Sequence, residues 1–399
     1  MRRRRTFQWV AVAAGALGAA AIAAIVVTRG GGTSAAAPPS TTVEISTNTC
    51  ARGWRAPRSG HPTVSVVNAT AQTYDVSLVG ADQRTVYAEI EVLAAHTTRG
   101  LRIALPPGRY SWRCGRADGT VSFSAVVRVT GRPVTDAHPF VPVTYTELAA
   151  ATTTYRASVS RAMGVLAQQT DTLRADVDAG RLDAARHDWL VAHMQYERLG
   201  AAYGTFGAYD AEINGRADGL PRGVDDPQFQ GFHELELDLW GGASSESSRA
   251  AAVADQLDHS VHALVAAFPR LQTGPNDVSL RTHEILENSL QFELTGDTDE
   301  GSHTNLATVR ANVDGTQLAL SAIAPLLRTR DPALLARATS GLRELAALLD
   351  AQHVGDVWTP LSDLSRADRE RIDAAVSGLV EQLSPIPDVL ELPRGSDDS

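Results

Sequence analysis

Ten residues at 231–240, GFHELELDLW, put one imidazole and three carboxylates into an otherwise apolar run. His233 and Glu236 are three apart, so on a helix they project from the same side, one turn apart. Helical bundles present metal ligands to their interior with this His/Glu spacing. Leu235, Leu239 and Trp240 would pack against neighbouring helices, and Glu234 and Asp238 form a separate i,i+4 row. The plainer alternative is that His233 and Glu236 hydrogen-bond one another at a partly wet surface. A zinc-protease helix, His-Glu-x-x-His, needs a second histidine four residues after the first, and that position holds Leu237.

A site inside a bundle needs donors from other helices. The segment AHMQYERLG offers Glu197, beside Tyr196 and Arg198, on a helix striped by Ala185, Trp189, Ala192 and Tyr196. HEILENSL offers His283 and Glu287, four apart. The acidic turn GDTDEGSHTN, with Asp297, Asp299, Glu300 and His303, has the residue types to hold a second cation. Each has a bland alternative: Glu197 paired with Arg198, a solvated His283/Glu287 row, and a wet turn.

The elements that must position these groups change character along the chain. Residues 2–5 are all arginine, and residues 7–27 carry no charge. About twenty such residues, at about 1.5 Å each, span about 30 Å of hydrocarbon, with the arginines left on the cytoplasmic side. Residues 1–28 therefore read as a membrane anchor or export signal, and 29–41, rich in Gly, Ser, Ala and Pro, as a flexible tether. Residues 42–131 hold short β-branched runs at roughly ten-residue spacing, with turn signals between them, which predicts a small all-β sandwich. Pro133, Pro139 and Pro142 mark a linker at 132–144. Residues 145–390 are rich in Ala and Leu at helical period, which predicts an all-α bundle, with helices near 146–179, 183–205, 228–240, 246–269, 277–293, 303–327, 331–352 and 366–385. Residues 391–399 read as a disordered polar tail.

The 36 basic side chains are all arginine, and the net charge of -10 argues against a nucleic-acid partner. Two cysteines, Cys50 and Cys114, in an exported chain suggest a disulfide; a pair of thiolate metal ligands is the alternative.

The order YERLG, then VDDPQFQGFHELELDLWGG, then LTGDTDEGSHTNLATVRANVDGTQLAL resembles the imelysin-like domain of the EfeO family, over residues 145–385. The family's GxHxxE helix stands here as Gly231, His233 and Glu236. The Ser-His-Thr and Asn-x-x-Gly-x-Gln segments stand as Ser302-His303-Thr304 and Asn312 to Gln317. The resemblance implies an exported iron-binding component of an Efe-type uptake system, with an iron permease and a haem peroxidase as partners. It implies a metal site of His233, Glu236 and Glu197, with Glu287 at the matching position of a later helix and Asp218 as a fifth ligand. The family tends to have an aspartate near Asn214, where this chain departs. Carboxylates with one imidazole suit iron as Fe(II) or Fe(III), with Zn(II) or Mn(II) as alternatives.

The same family carries an N-terminal cupredoxin-like sandwich, with cysteines matching Cys50 in TNTC and Cys114 in PPGRYSWRCG. A blue-copper site wants two histidines, a thiolate and a weak axial ligand. The β segment has no methionine, and His61 and His96 lack ligand spacing, so a disulfide-stapled sandwich without copper is expected. The expected function is non-enzymatic: extracytoplasmic iron binding and delivery to a permease. The rivals are a metal-dependent peptidase of the imelysin type and a polyanion- or siderophore-binding module.

Overall fold

The computed structural model describes residues 41–55, 57–241, 247–355 and 357–392. The expected anchor, nearly all of the tether and most of the polar tail lie outside the described residues. Among the described residues no helix is long and apolar enough to cross a membrane.

Nine strands form two sheets. The first, in the order β2-β1-β3-β6, is built from β1 (Thr41–Ser46), β2 (Thr49–Arg52), β3 (Thr63–Asn68) and β6 (Thr98–Arg102). Within it β1 and β3 run parallel and the other pairs antiparallel. The second, β5-β4-β7-β8, contains β4 (Tyr74–Gly80), β5 (Val86–Leu93), β7 (Gly108–Arg116) and β8 (Val121–Phe123), with β9 (Val127–Val129) also paired to β7. Alternation does the work expected of it: Val43 and Ile45 of β1, and Val64 and Val66 of β3, all point into the core against Leu78 and Trp112. Cys50 of β2 and Cys114 of β7 are joined in a disulfide, so the bond bridges the two sheets. His61 is taken up by Asp136 at 2.8 Å, and His96 sits in a turn at φ 55°.

The helical part follows. It comprises α1 (Tyr145–Asp178), α2 (Leu182–Glu197), α3 (Tyr203–Phe206), α4 (Ala208–Asn214), α5 (Phe232–Trp240), α6 (Ser247–Ala267), α7 (Asp277–Asn288), α8 (Asn305–Arg330), α9 (Pro332–Asp350), α10 (Arg366–Leu383) and α11 (Pro385–Val389). A hairpin of β10 (His353–Val354) and β11 (Val357–Trp358) separates α9 from α10. Thr144 and Glu147 form a reciprocal capping box that starts α1 where the proline-rich linker stops. Arg330, with only 3% of its side chain exposed, donates to Pro142 O and to Glu147, and Arg84 of the β region also reaches Glu147. Helix α8 packs against α1, α2, α7 and α9, and its buried residues from Leu306 to Leu327 are apolar except for Thr308, Asn312 and Thr316.

Three helices differ from the periodic expectation, and each difference borders the same interior space. The helix expected over 183–205 stops at Glu197 and gives way to a 3-10 turn at Gly200–Ala202. Gly200 fits there because a Cβ would lie 3.1 Å from Ile285. The helix expected from 228 starts only at Phe232, because Gly231 adopts φ 89°. The helix expected over 277–293 changes at Ser289 into a π-helical turn, Ser289–Glu293, closed by Leu294 N–H donating to Ser289 O at 2.9 Å.

Candidate metal centre

Helix α5 is held rigidly at both ends. At its start, a Cβ on Gly231 would lie 2.2 Å from Ile213 O, so only glycine lets the beginning of α5 bridge to Asn214 at the end of α4. Trp189 Nε1 of α2 donates to Phe232 O at 2.8 Å. At the other end, Arg186 donates twice to Leu239 O, at 3.0 and 2.7 Å, and so satisfies a terminal carbonyl. The apolar side of α5, Leu235 and Leu239, goes to the core, and Glu234 and Asp238 both pair with Arg249. That leaves His233, 4% exposed, and Glu236, 1% exposed, facing inward together.

Their surroundings come from five other segments. His233 Nδ1 is 3.4 Å from Glu236 Oε2, and Glu236 Oε1 accepts from Ser302 N–H at 3.0 Å. The acidic turn is thus a collar for Glu236. Its Asp299 folds the loop locally, accepting from Gly301 N–H at 2.8 Å and His303 N–H at 3.0 Å. From α2, Glu197 is 6% exposed and accepts from Asn214 Nδ2 at 2.8 Å. Asn312 of α8, in the amide orientation that satisfies all its partners, donates to Glu197 Oε2 at 3.0 Å and to Glu197 O at 3.2 Å. Arg198 turns the other way, to Asp314 at 3.3 Å. Glu293, at the end of the π-helical turn, accepts from Thr298 Oγ1 at 2.8 Å.

Glu197, His233, Glu293, Asn214 and Asn312 line one cavity of about 170 Å³. Burying carboxylates without a counter-charge raises their pKa, and neighbouring cations lower it. Burial pushes Glu197 up, but His193, His233 and the Asn214 hydrogen bond outweigh it and leave its carboxyl below the ordinary value. Glu293 goes the other way. Burial and the Glu197 charge raise it to about 7; the Thr298 bond and His233 offset this only partly, and Glu236 adds to it. Asp210, which accepts from Tyr196 OH at 2.6 Å, is also raised, first by burial. Chemically, the walls offer carboxylates, carboxamide oxygens and one imidazole, a set suited to a hard or borderline cation.

Of the residues that sequence reasoning put forward, His233 and Glu197 line the cavity, and Glu236 is buried beside His233. Glu287 does not line it. On α7 the stripe facing the cavity is Arg281, Ile285 and Asn288, at helical spacing, and half-buried Glu287 lies off that stripe. The wider π-helical turn brings Glu293 round into the walls instead. Asp218 is exposed on the turn after α4 and is not among the lining residues either. Two residues were missed. Glu293 has no spacing signal, because a π-helical turn breaks the helical count. His193 had one: it precedes Glu197 by four on α2. It is 2% exposed, its Nε2 stands 3.4 Å from Glu197 Oε1 outside hydrogen-bond geometry, and neither ring nitrogen has a hydrogen-bond partner. Its ring packs 5.3 Å from that of His233.

Among the described residues, one trio of His and carboxylate ligand atoms lies within 4.8 Å of one another, and it is elsewhere: Asp171, Asp258 and His262, between α1 and α6. Thr170 Oγ1 already donates to Asp258 at 2.7 Å, and the Arg174 guanidinium is 3.2 Å away, so a cation's place is occupied by a fixed one.

The imelysin family model (peptidase M75) matches residues 151–386, well over half of the chain. The chain belongs to the imelysin family. Over 307 residues it is 27% identical to the iron uptake system component EfeO of Escherichia coli O157:H7, covering 77% of this chain and 80% of that one. The EfeO proteins of Escherichia coli K12 and Shigella flexneri are 26% identical over the same length and shares. The matched imelysin region contains all of the cavity's walls, from Glu197 to Asn312, and leaves the β sandwich outside it.

Proposed function

We propose that this imelysin-family chain is an extracytoplasmic iron-binding component of an Efe-type uptake system, and that the α-domain cavity holds the iron. The observation that carries the reading is a buried space walled by Glu197, Glu293 and His233, with Glu236 beside them, in a chain similar to EfeO proteins along most of its length. Buried carboxylates this close together repel one another, and a cation relieves that repulsion. Glu197, His233, Glu236 and Glu293 are the ligands proposed, with Asn214 and Asn312 orienting Glu197; Glu287 and Asp218 stand outside the walls. Iron as Fe(II) or Fe(III) is the cargo, with Zn(II) or Mn(II) as stand-ins of similar ligand preference. The N-terminal apolar segment would keep the protein at the membrane outside the cytoplasm, where a permease takes over the iron and a haem peroxidase acts alongside. Because the ligands bind deprotonated, acidification would loosen the iron and allow its transfer. Calorimetric titration of the full chain with Fe(II) under anaerobic conditions, compared with His233→Ala, tests the site. Unchanged binding by the variant would remove it.

A peptidase is the second reading, favoured by the family's name. It would need a metal-bound water and a general base, and the position four after His233 is Leu237. Metal-dependent cleavage of casein, abolished in His233→Ala, would replace iron carriage with hydrolysis.

A further inference from the structure

The cavity that holds the proposed iron also carries two arginines. Arg216 and Arg281 line the same space as Glu197, His233 and Glu293. A guanidinium never gives up its proton in this range, so a bare cation entering here would meet two fixed positive charges. Neither forms an ion pair with an acid that lines the cavity. Arg216 makes no ion pair or hydrogen bond among the described residues; it is held over the Phe292 ring, 3.7 Å from the centroid. Arg281 reaches Glu284 at 3.0 Å with one nitrogen and keeps further N–H donors. Asp210, which both guanidinium groups act on electrostatically, has one carboxylate oxygen occupied by Tyr196 OH at 2.6 Å and forms an ion pair with neither.

The space is also wider than an ion requires. A dry cavity of about 150 Å³ accepts benzene, and this one measures about 170 Å³. Its ligand atoms do not converge: no His/Glu trio inside it meets the 4.8 Å spacing found at Asp171, Asp258 and His262, among the described residues. A cation held by so spread a set of donors would have room for a further ligand in the same space.

We propose that the cavity takes its cation together with a small oxyanion, of carboxylate or phosphate type, that bridges from the metal to Arg216 and Arg281. One oxygen would complete the metal's coordination, and the others would accept from the guanidinium forks, the geometry in which arginine binds oxyanions best. The cargo is then a metal–oxyanion pair rather than a naked ion. This rests on the metal-binding reading above.

The test uses the full chain with Mn(II) as the metal, free Mn(II) being read by electron paramagnetic resonance. Titrations are run in perchlorate, then with oxalate or inorganic phosphate added. We expect one or both anions to tighten Mn(II) binding on the order of tenfold or more at equal free metal, and Mn(II) to tighten anion binding by the same factor. The two anion arms separate a carboxylate from a phosphate source. Arg216→Gln/Arg281→Gln should bind Mn(II) in perchlorate at least as tightly as the parent, since positive charge has been removed, and lose the anion effect. Should the double variant misfold, Arg216→Gln alone is expected to lose most of it. Tight Mn(II) binding that is indifferent to both anions, or an anion effect that survives in the variants, overturns the proposal and leaves the metal site standing. Absence of Mn(II) binding in any medium removes both.

Discussion

Two groups of metal-type donors sit in the same helical domain, and they differ in what surrounds them. Asp171, Asp258 and His262 lie close together on the outside of α1 and α6, with Arg174 beside Asp258 and solvent around the rest. Glu197, His233 and Glu236 are more widely spread but buried, with half-buried Glu293 beside them, and several are supported by neutral hydrogen-bond donors: Asn214 and Asn312 on Glu197, Thr298 on Glu293, and a backbone N–H on Glu236. Proximity of ligand atoms is therefore the weaker guide. Exposed charges are screened by water and cost little to leave unpaired. Buried ones are held at a cost that a counter-charge relieves, and neither Arg216 nor Arg281, which share the cavity, forms an ion pair with the inner group.

The strongest way to break this contrast is to remove a ligand on each side of it. His233→Ala or Glu197→Gln should weaken metal binding by more than about 100-fold, since even outer-shell changes cost about 10–100-fold. Asp258→Asn should leave the inner affinity within about twofold, as expected for a distant independent site. Titration calorimetry on all three compares them directly.

Acidity separates the groups next. Glu293, raised to about 7, must lose its proton for a cation to bind, so affinity should climb about tenfold per pH unit up to about pH 7 and then level off. Glu293→Gln should flatten that profile below pH 7. The sign for the empty protein is opposite. The folded form holds this proton more tightly than the unfolded one, whose ordinary value is 4.5, so stability falls as pH rises from about 4.5 through about 7. Melting curves with and without metal, recorded across that window, would check both signs.

Supports of the inner group should matter in a graded way. Asn214→Ala should cost about tenfold in affinity by freeing Glu197. Gly231→Ala should destabilise the fold by at least about 2 kcal/mol, from the φ 89° strain and the clash with Ile213 O. The smallest expected effect on metal is that of the disulfide. Reducing Cys50–Cys114, 64 residues apart, removes about 4 kcal/mol from the β sandwich in the chain-entropy model, yet should leave the metal titration unchanged. A coupled loss of metal affinity would mean that the sandwich helps to shape the cavity.

Much of this was legible in the order of residues. Period-2 alternation marked the strands, as Val43 and Ile45 or Val64 and Val66 show, and the 3.6 period marked the helices. Spacing of three picked out His233 and Glu236, because helical neighbours on one face must meet. Glu287 came from its spacing of four after His283 and from the family resemblance, but it lies off the face of α7 that carries Arg281, Ile285 and Asn288; the π-helical turn beyond it admits Glu293. His193 shows an i,i+4 relation to Glu197 that sequence reasoning did not use, and only its burial beside Glu197 and His233 brings it to notice.

Composition and periodicity alone settled the division into a β segment and a helical segment, and local spacing settled which side chains share a helix face, because both depend on residues near one another in the chain. Which faces turn toward a common cavity was decided by long-range packing: Gly231 against Ile213, Trp189 onto Phe232, and Ser302 reaching Glu236 from 66 residues away. So was the charge state of Glu293, which depends on the low dielectric and on the carboxylates that folding brings beside it. Those contacts join segments whose separation in sequence carries no periodic trace, so only the folded chain specifies them.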